Sequence, residues 1–278
     1  MVGHGMSEFK SWRVAGVAAV IKGCLRSFRS EMGYTVINPH SLGKNVQIES
    51  AWKEPFVPEL QLRVVKEQIT AYRDGCRIPV FDALVDVLQH NLVQRGAQIT
   101  LLEVGCSSGY YNEVLNSSGL QVVYRGCDYS TGFVKLAKKL YPSLGFDLED
   151  ACEMSYAADS FDVVISSGCL LHILDFKRAI VEASRVAREF VAFHRTPVTH
   201  FARTTYFSKS AYGTRMLEIH FNEQELVREF SAVGLQVVDA KAYEGHWRTL
   251  AEPDFLLHKT YLCRKVGGQQ AGRLSRER

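Results

Sequence analysis

The sequence has few features that would indicate a nucleic acid or a metal as partner. Its 33 lysine and arginine residues nearly balance 30 aspartate and glutamate residues, for a net charge of +3. Proteins that bind nucleic acids usually carry a concentrated basic surface instead. None of the seven cysteines is at CxxC spacing, which argues against a zinc or redox motif. We therefore expect no nucleic-acid partner and no metal.

A long apolar run near the start is also missing. Lys22 and Arg26 interrupt the apolar stretch after Arg13 well before it reaches membrane-spanning length. The same stretch does not match a secretory signal. We therefore expect a cytoplasmic protein, whose cysteines are buried free thiols in a reducing compartment.

Residues 1–97 are predicted to form a helical extension or cap. Within it, residues 9–30 place apolar side chains at spacings of three and four, which is typical of an amphipathic helix. This helix would dock on the protein or on a partner, or it would make a peripheral contact with an anionic membrane. An irregular segment at 34–58 precedes helices predicted at about 58–74 and 79–95.

From residue 98 onwards, short apolar strands alternate with helical stretches. This alternation implies an α/β fold with a mostly parallel sheet, covered by helices on both faces. We predict that the core spans residues 98–265, and that the polar tail at 266–278 is disordered. The predicted strands are 99–104, 120–127, 161–167, 189–194, 235–243 and 256–264, and helices are predicted at about 131–140 and 175–188.

The first core strand leads into a turn that contains two glycines. Gly105 and Gly109 bracket the turn, and Glu103 precedes it. A strand that turns into a helix in this way directs backbone N–H groups at a ligand. The same residues also fit the G-x-S-x-G elbow of α/β-hydrolases, in which Ser107 would be the nucleophile. The turn alone leaves both interpretations open.

An acid at the end of the second strand, Asp128, favours the nucleotide interpretation. A carboxylate there can accept hydrogen bonds from both ribose hydroxyls of an adenosine. A hydrolase elbow has no use for this acid. Asp128 also precedes Ser130 and Thr131, so a helix cap remains an alternative role.

The segment DACEMSYAADSFDVVISSGCLLHILD, residues 150–175, completes a larger pattern. Together with the preceding motifs it resembles class I S-adenosylmethionine-dependent methyltransferases of the type 11 family. The resemblance covers residues 99–195 and implies a Rossmann-like sheet of seven strands, with S-adenosyl-L-methionine as the cofactor. The residues that carry it are Glu103, Gly105, Gly109, Asp128, Asp150, Ala151, Ser160, Phe161 and Asp162.

The resemblance also implies how the cofactor is held. Glu103 would orient the amino end of the methionine moiety, Asp128 would hold the ribose, and Tyr129 would cover the adenine. Ser107 departs from the family, because many such loops have a third glycine there. The residues expected at the cofactor are Glu103, Gly105, Ser107, Gly109, Asp128, Tyr129, Asp150, Ala151 and Ser167.

His172 is the candidate catalytic base. It follows the fourth strand, and ligands of open α/β sheets collect at that edge. Asp175, three residues later, is its expected partner. The alternative is that His172 packs beneath the cofactor or caps the next helix.

Candidates for binding the acceptor lie further along the chain. His194 and Arg195 end the fifth strand and could recognise an acidic or hydroxylated acceptor. Tyr206 and Tyr212 belong to the segment 196–221, which is long for a connecting loop and is predicted to be a lid or substrate wall. Asn222 with Glu225 would then begin a helix.

The sequence therefore predicts methyl transfer to an oxygen or nitrogen atom of a small-molecule or glycan-type acceptor. Two other functions remain open at this point. One is an α/β-hydrolase that uses Ser107 as its nucleophile. The other is a protein that binds S-adenosylmethionine without turning it over.

Overall fold

A computed structural model describes residues 33–40, 48, 50–92 and 98–266 of the chain. The amphipathic helix predicted at 9–30, with its membrane contact, lies outside the described residues. So does the predicted tail beyond residue 266. Within the described ranges, no helix combines the length and the hydropathy needed to cross a bilayer.

The described residues contain ten strands, which join into one sheet. Seven of them form a central sheet, as the family resemblance implies, and three add an antiparallel extension. The strands are β1 (Tyr34–Ile37), β2 (Ile99–Val104), β3 (Val122–Asp128), β4 (Gly145–Leu148), β5 (Phe161–Ser167), β6 (Ala187–Thr199), β7 (Thr205–Ala211), β8 (Thr214–Asn222), β9 (Leu235–Arg248) and β10 (Asp254–Lys265).

The central sheet has the spatial order β4-β3-β2-β5-β6-β10-β9. Parallel ladders connect β4 through β6. The last two strands form an antiparallel pair, and β10 lies beside β6. Only β10 therefore runs against the other six strands, which confirms the predicted mostly parallel sheet. The sequence pattern missed β4, a short strand at the edge.

The described residues contain six helices, which include those predicted at about 58–74, 79–95, 131–140 and 175–188. Asp175 caps one of them by accepting a hydrogen bond from the Arg178 N–H, and Asn222 caps another by accepting from the Glu225 N–H. The second cap is the helix start predicted at residue 222. The helices are α1 (Val57–Arg73), α2 (Pro79–Leu92), α3 (Tyr111–Ser117), α4 (Thr131–Leu140), α5 (Phe176–Val186) and α6 (Glu223–Ala232).

Both faces of the sheet are buried, which explains why its strands are apolar without alternation. Neighbouring side chains of a strand point to opposite faces. Leu101 and Leu102 are both fully buried, yet they belong to different cores. The core around Leu102 includes α5 and α6, and the one around Leu101 includes α2 and α3.

The segment at 196–221, predicted to be a lid or substrate wall, is largely β-structure. Strand β6 continues to Thr199, and β7 and β8 form an antiparallel hairpin. Its two-residue turn consists of Tyr212 and Gly213, both with positive φ (50° and 77°), as in a type I′ turn. These strands carry polar residues that line a cleft rather than a core. The segment therefore lacks the apolar runs by which the other strands were predicted.

The segment predicted to be irregular at 34–58 also contributes a strand. Strand β1 pairs with β7 in antiparallel register, with Tyr34 opposite Lys209. Its partner lies some 170 residues away in the chain, so local sequence could not reveal this pairing. A short 3-10 turn at Ala51–Lys53 then leads to α1.

Candidate active site

A cleft of about 730 Å³ opens at the carboxyl ends of the parallel strands. This is the edge at which open α/β sheets bind ligands, and the volume lies within the range typical of small-molecule sites. Helix α1 and the hairpin of β7 and β8 also contribute side chains to its walls. The cleft therefore combines distant parts of the chain around the sheet edge.

Asp128 lies at this edge and is held by two backbone groups. Its Oδ2 accepts a hydrogen bond from the Ser107 N–H and its Oδ1 accepts one from the Ser130 N–H, both at 2.9 Å. The side chain is buried, and burial raises its pKa to about 6. Asp128 thus joins the glycine-containing turn to the start of α4 while it faces the cleft.

Ser107 has the left-handed backbone conformation, with φ of 48°. Glycine adopts this conformation most easily, which explains why glycine is common at this position. Its N–H bonds Asp128, and its hydroxyl makes no hydrogen bond to a histidine of the described residues. Ser107 therefore lacks the adjacent base that a hydrolase nucleophile requires.

The two glycines of the turn are needed for packing within the protein. Gly105 has φ of 68°, and a Cβ there would lie 2.5 Å from the side chain of Cys169. At Gly109, with φ of 78°, a Cβ would lie 2.7 Å from the Phe146 ring. Gly105 lines the cleft whereas Gly109 does not. Gly109 therefore shapes the turn against the core, and its contact with the cofactor stays a prediction.

Glu103 is almost fully buried at the floor of the cleft. The Tyr124 hydroxyl donates a hydrogen bond to it. Burial raises the pKa of Glu103 to about 8, so its carboxyl is largely protonated at neutral pH. A cationic ligand group placed beside it would favour the ionised form.

The remaining residues predicted at the cofactor line the same cleft. Tyr129, Asp150 and Ala151 lie on one side of it, and Ser167 lies at the end of β5. The Asp150 Oδ1 accepts a hydrogen bond from the Cys152 N–H at 2.8 Å, which fixes the carboxylate at the mouth. Eight of the nine residues predicted at the cofactor therefore come together in one cavity.

His172 lines the cleft and has a defined tautomer. Its Nδ1 lies 2.5 Å from the carbonyl oxygen of Leu217. Because a carbonyl only accepts, Nδ1 carries the proton and Nε2 holds the free lone pair. Burial lowers the pKa of His172 to about 4. The predicted partner Asp175 is engaged elsewhere, since it caps α5.

Arg195 and Tyr212 reach the cleft, whereas His194 and Tyr206 do not line it. The His194 ring is buried. Its Nε2 lies 2.7 Å from the Tyr111 hydroxyl, and its Nδ1 lies 2.7 Å from the Thr260 hydroxyl. The neighbours His194 and Arg195 lie at an irregularity of the β6–β10 ladder, between the pairs Phe193–Tyr261 and Thr196–Lys259, where Arg195 has a φ of 57°. Such a bulge re-aims a side chain. Tyr206 packs against the core instead.

Arg195 brings a cation into the cleft without a carboxylate to balance it. Its Nη1 donates to the Tyr110 hydroxyl at 3.3 Å. Tyr212 and Tyr243 are near enough to affect its pKa, which is raised although burial alone would lower it. Among the described residues, no carboxylate lies within ion-pair distance of this guanidinium. The cleft can therefore attract an anionic or electron-rich ligand group.

Trp52 is a cleft residue that the sequence analysis missed. Its ring lies 4.9 Å from that of His172 and 5.6 Å from that of Tyr212, measured between centroids. It comes from the segment before α1, where no motif or periodicity marks it. Glu218 of the hairpin was missed as well, although it also lines the cleft.

Comparisons with known proteins agree with this architecture. Residues 102–190 match a family model described as "Methyltransferase domain". A demethylmenaquinone methyltransferase of Paenarthrobacter aurescens is 27% identical over 143 residues, which are 46% of this chain and 56% of that protein. A probable S-adenosylmethionine-dependent methyltransferase of Mycolicibacterium smegmatis is 25% identical over 170 residues, or 56% and 65% of the two proteins.

The chain thus spans about half the length of the first of these relatives. Among solved structures, an S-adenosylmethionine-dependent methyltransferase from Clostridium acetobutylicum has a TM-score of 0.50 and 13% sequence identity. The similarity covers 75% of this chain and all of that one. At this identity the likeness concerns the fold alone.

Proposed function

We propose that this chain, a class I S-adenosylmethionine-dependent methyltransferase, transfers a methyl group to an oxygen or nitrogen atom of a small-molecule or glycan-type acceptor. The observation that carries this proposal is the convergence of two sets of residues in one cleft. One set comprises the acids at the ends of β2 and β3, and the other comprises His172, Arg195 and Tyr212.

The residues of the cleft fit S-adenosylmethionine. The carboxylate of Asp128 accepts from backbone N–H groups, and its two oxygens offer about four acceptor sites, so that it can also accept from the ribose. Tyr129 and Asp150 would take the adenine, and Glu103 and Ser167 the methionine end. When bound, the cofactor supplies a methyl group made electrophilic by its sulfonium.

His172 is proposed to remove a proton from the acceptor. Its Nδ1–H is fixed by the Leu217 carbonyl, so Nε2 is the ring nitrogen that can accept a proton. With a lowered pKa, the ring is neutral at physiological pH and does not have to lose a proton first. The rings of Trp52 and Tyr212 flank it and would help to exclude water.

Different parts of the chain form different walls of the cleft. We propose that residues 1–97 form a cap, because Gln61 and Gln68 of α1 line the cleft opposite the hairpin. Residues 98–265 would form the transferase core. The hairpin within 196–221 would form the acceptor wall, with Arg195 and Tyr212 as the acceptor-binding residues.

An acceptor screen with the purified full-length chain tests this proposal. S-adenosylhomocysteine release is measured with hydroxylated aromatic compounds, amines, methyl glycosides and a demethylmenaquinol, the last because of the relatives' names. We expect turnover with at least one class. His172→Asn should lower that turnover roughly 100-fold or more while S-adenosylmethionine affinity stays unchanged.

The control is His90→Asn on the exposed side of α2, which should match the wild type. Absence of S-adenosylmethionine binding would refute the proposal. Labelling of Ser107 by a serine-directed phosphonate would instead favour the hydrolase. Tight cofactor binding without turnover of any acceptor class would favour a non-catalytic binding protein.

A further inference from the structure

A second cavity of about 240 Å³ adjoins the main cleft, and we call it the side chamber. Its walls come from β1, β7, β8, β9 and β10, all outside the segment that matches the methyltransferase domain. Lys209, Glu218, Glu244 and His258 line both cavities, so the two spaces meet at these four residues. The chamber is smaller than an ordinary ligand site of ~300–1,000 Å³, and it suits one end of a longer ligand.

The charges that line the side chamber cancel. Its two cations, Lys209 and Arg248, face two carboxylates, Glu218 and Glu244. Lys209 is further neutralised by a direct ion pair, because its Nζ lies 2.7 Å from Glu218 Oε2. The chamber therefore has no net charge that would select a charged ligand group.

Two histidines that line the chamber each have a buried ring nitrogen without a partner among the described residues. His220 Nε2 lies 3.3 Å from Glu218 Oε1, so Nε2 carries the proton and Nδ1 is left as a hydrogen-bond acceptor. Within the part of the chain that the structure describes, no group bonds this Nδ1, and the same holds for the Nδ1 of His258. His220 as a whole is only 5% exposed.

Unpaired buried nitrogens cost free energy that a ligand can recover. Burial lowers the pKa of both rings, that of His258 to about 3, so neither acts as a cation at neutral pH. A hydroxyl group suits this environment, since it can donate to one nitrogen and accept from a neighbour. The rings of Tyr34 and Phe207 complete apolar walls against which a flat ring face can pack.

We propose that the side chamber is a specificity subsite for a neutral, polyhydroxylated ring of the acceptor. The ring would donate a hydroxyl hydrogen bond to His220 Nδ1 while the reacting atom lies in the main cleft near His172. This inference rests on the proposed function, and it narrows the acceptor to molecules that carry a polyhydroxylated ring, such as a sugar, beyond the methylated atom.

Nuclear magnetic resonance titration of the full chain, saturated with S-adenosylhomocysteine, tests the subsite. The probes are methyl β-D-glucopyranoside, methyl β-D-galactopyranoside and methyl α-L-rhamnopyranoside, with cyclohexanol and methyl β-D-glucuronide as comparison rings. We expect at least one neutral glycoside to bind more tightly than both comparison rings. His220→Phe and His258→Phe should each weaken that binding at least fivefold.

His90→Phe, an exposed histidine outside both cavities, is the matched control and should bind as the wild type does. S-adenosylhomocysteine affinity is measured on every variant, which separates this test from that of the proposed function. Three results would overturn the subsite: tighter binding of the glucuronide, no glycoside binding by a wild type that binds S-adenosylhomocysteine, or unchanged binding in both folded histidine variants.

Discussion

Replacing Asp128 by alanine is expected to weaken S-adenosylmethionine binding about 5- to 150-fold. The carboxylate is buried at the cleft, accepts from the N–H groups of Ser107 and Ser130, and has acceptor capacity left for the ribose. Removing it leaves ribose hydroxyls without an acceptor, which costs about 1–3 kcal/mol. This free energy corresponds to the stated change in Kd.

Isothermal titration calorimetry of wild type, Asp128→Ala and the exposed control Asp74→Ala measures this effect. The pH dependence gives a second readout. Burial raises the pKa of Asp128 to about 6, so the carboxylate form predominates above pH 6. The S-adenosylmethionine affinity of the wild type should therefore fall as the pH is lowered from 7 to 5. The affinity of the alanine variant should not show the part of this fall that comes from Asp128.

The cavity assignment would be refuted if folded Asp128→Ala bound S-adenosylmethionine within twofold of the wild type. Circular dichroism and thermal unfolding establish that the variant is folded. Loss of the Ser107 and Ser130 bonds could also loosen the turn, so Asp128→Asn serves as a second variant. The asparagine side chain has nearly the same volume as the aspartate, but its NH₂ group would face the N–H of Ser107 or Ser130, so that two donors meet. We therefore expect weakened S-adenosylmethionine binding in this variant too.

Three further predictions concern stability and the turn. The free energy of unfolding of Glu103→Gln should rise relative to that of the wild type as the pH rises from 4.5 to about 8. In the wild type, the folded protein keeps a proton on Glu103 that the unfolded chain releases, so the wild type loses stability over this range. Urea unfolding across this range measures the difference. Ser107→Gly should relieve about 1 kcal/mol of strain at φ 48° and keep S-adenosylmethionine affinity within threefold by calorimetry. Phe193→Ala should lower the free energy of unfolding by about 3–5 kcal/mol, because the buried Phe193 ring stacks on that of Phe230 at a centroid distance of 4.4 Å. Phe201 is exposed, so Phe201→Ala should change the free energy of unfolding by less than about 0.5 kcal/mol. Chemical denaturation compares the two variants.

Each of these predictions has a contrary result. A pH-independent difference between Glu103→Gln and the wild type would show that the buried carboxyl is already ionised. Loss of methyl transfer in a folded Ser107→Gly protein that still binds cofactor would give the serine hydroxyl a chemical role. Similar destabilisation by the two phenylalanine variants would contradict the buried stacking.

Local sequence predicted six of the seven strands of the central sheet, and eight of the nine residues expected at the cofactor line the cleft. The strands of a sheet buried on both faces are short apolar runs, and each run here ends at a polar residue or glycine that turns the chain. Asp128 could therefore be placed at the strand ends, beside the turn that Gly105 begins, because parallel strands bring their carboxyl ends to one edge. Motif spacing then supplied the role expected of each residue.

Tertiary structure decided which side chains reach the cleft. His194 and Arg195 are neighbours in sequence, but a bulge in the β6–β10 ladder, with Arg195 at φ of 57°, leaves the first buried and the second lining the cleft. Trp52 and His172 come together only because the chain before α1 folds across the sheet edge. No local pattern encodes such contacts.

The side chamber, too, could not be predicted from local sequence. It needs β1 paired with β7, and β9 with β10, before its histidines share one space. The sequence alone thus determined the α/β core and the sheet edge at which the cleft opens. Long-range strand pairing decided the far walls of the cleft, because it sets which face of each strand is enclosed, and that choice depends on partners far away in the chain.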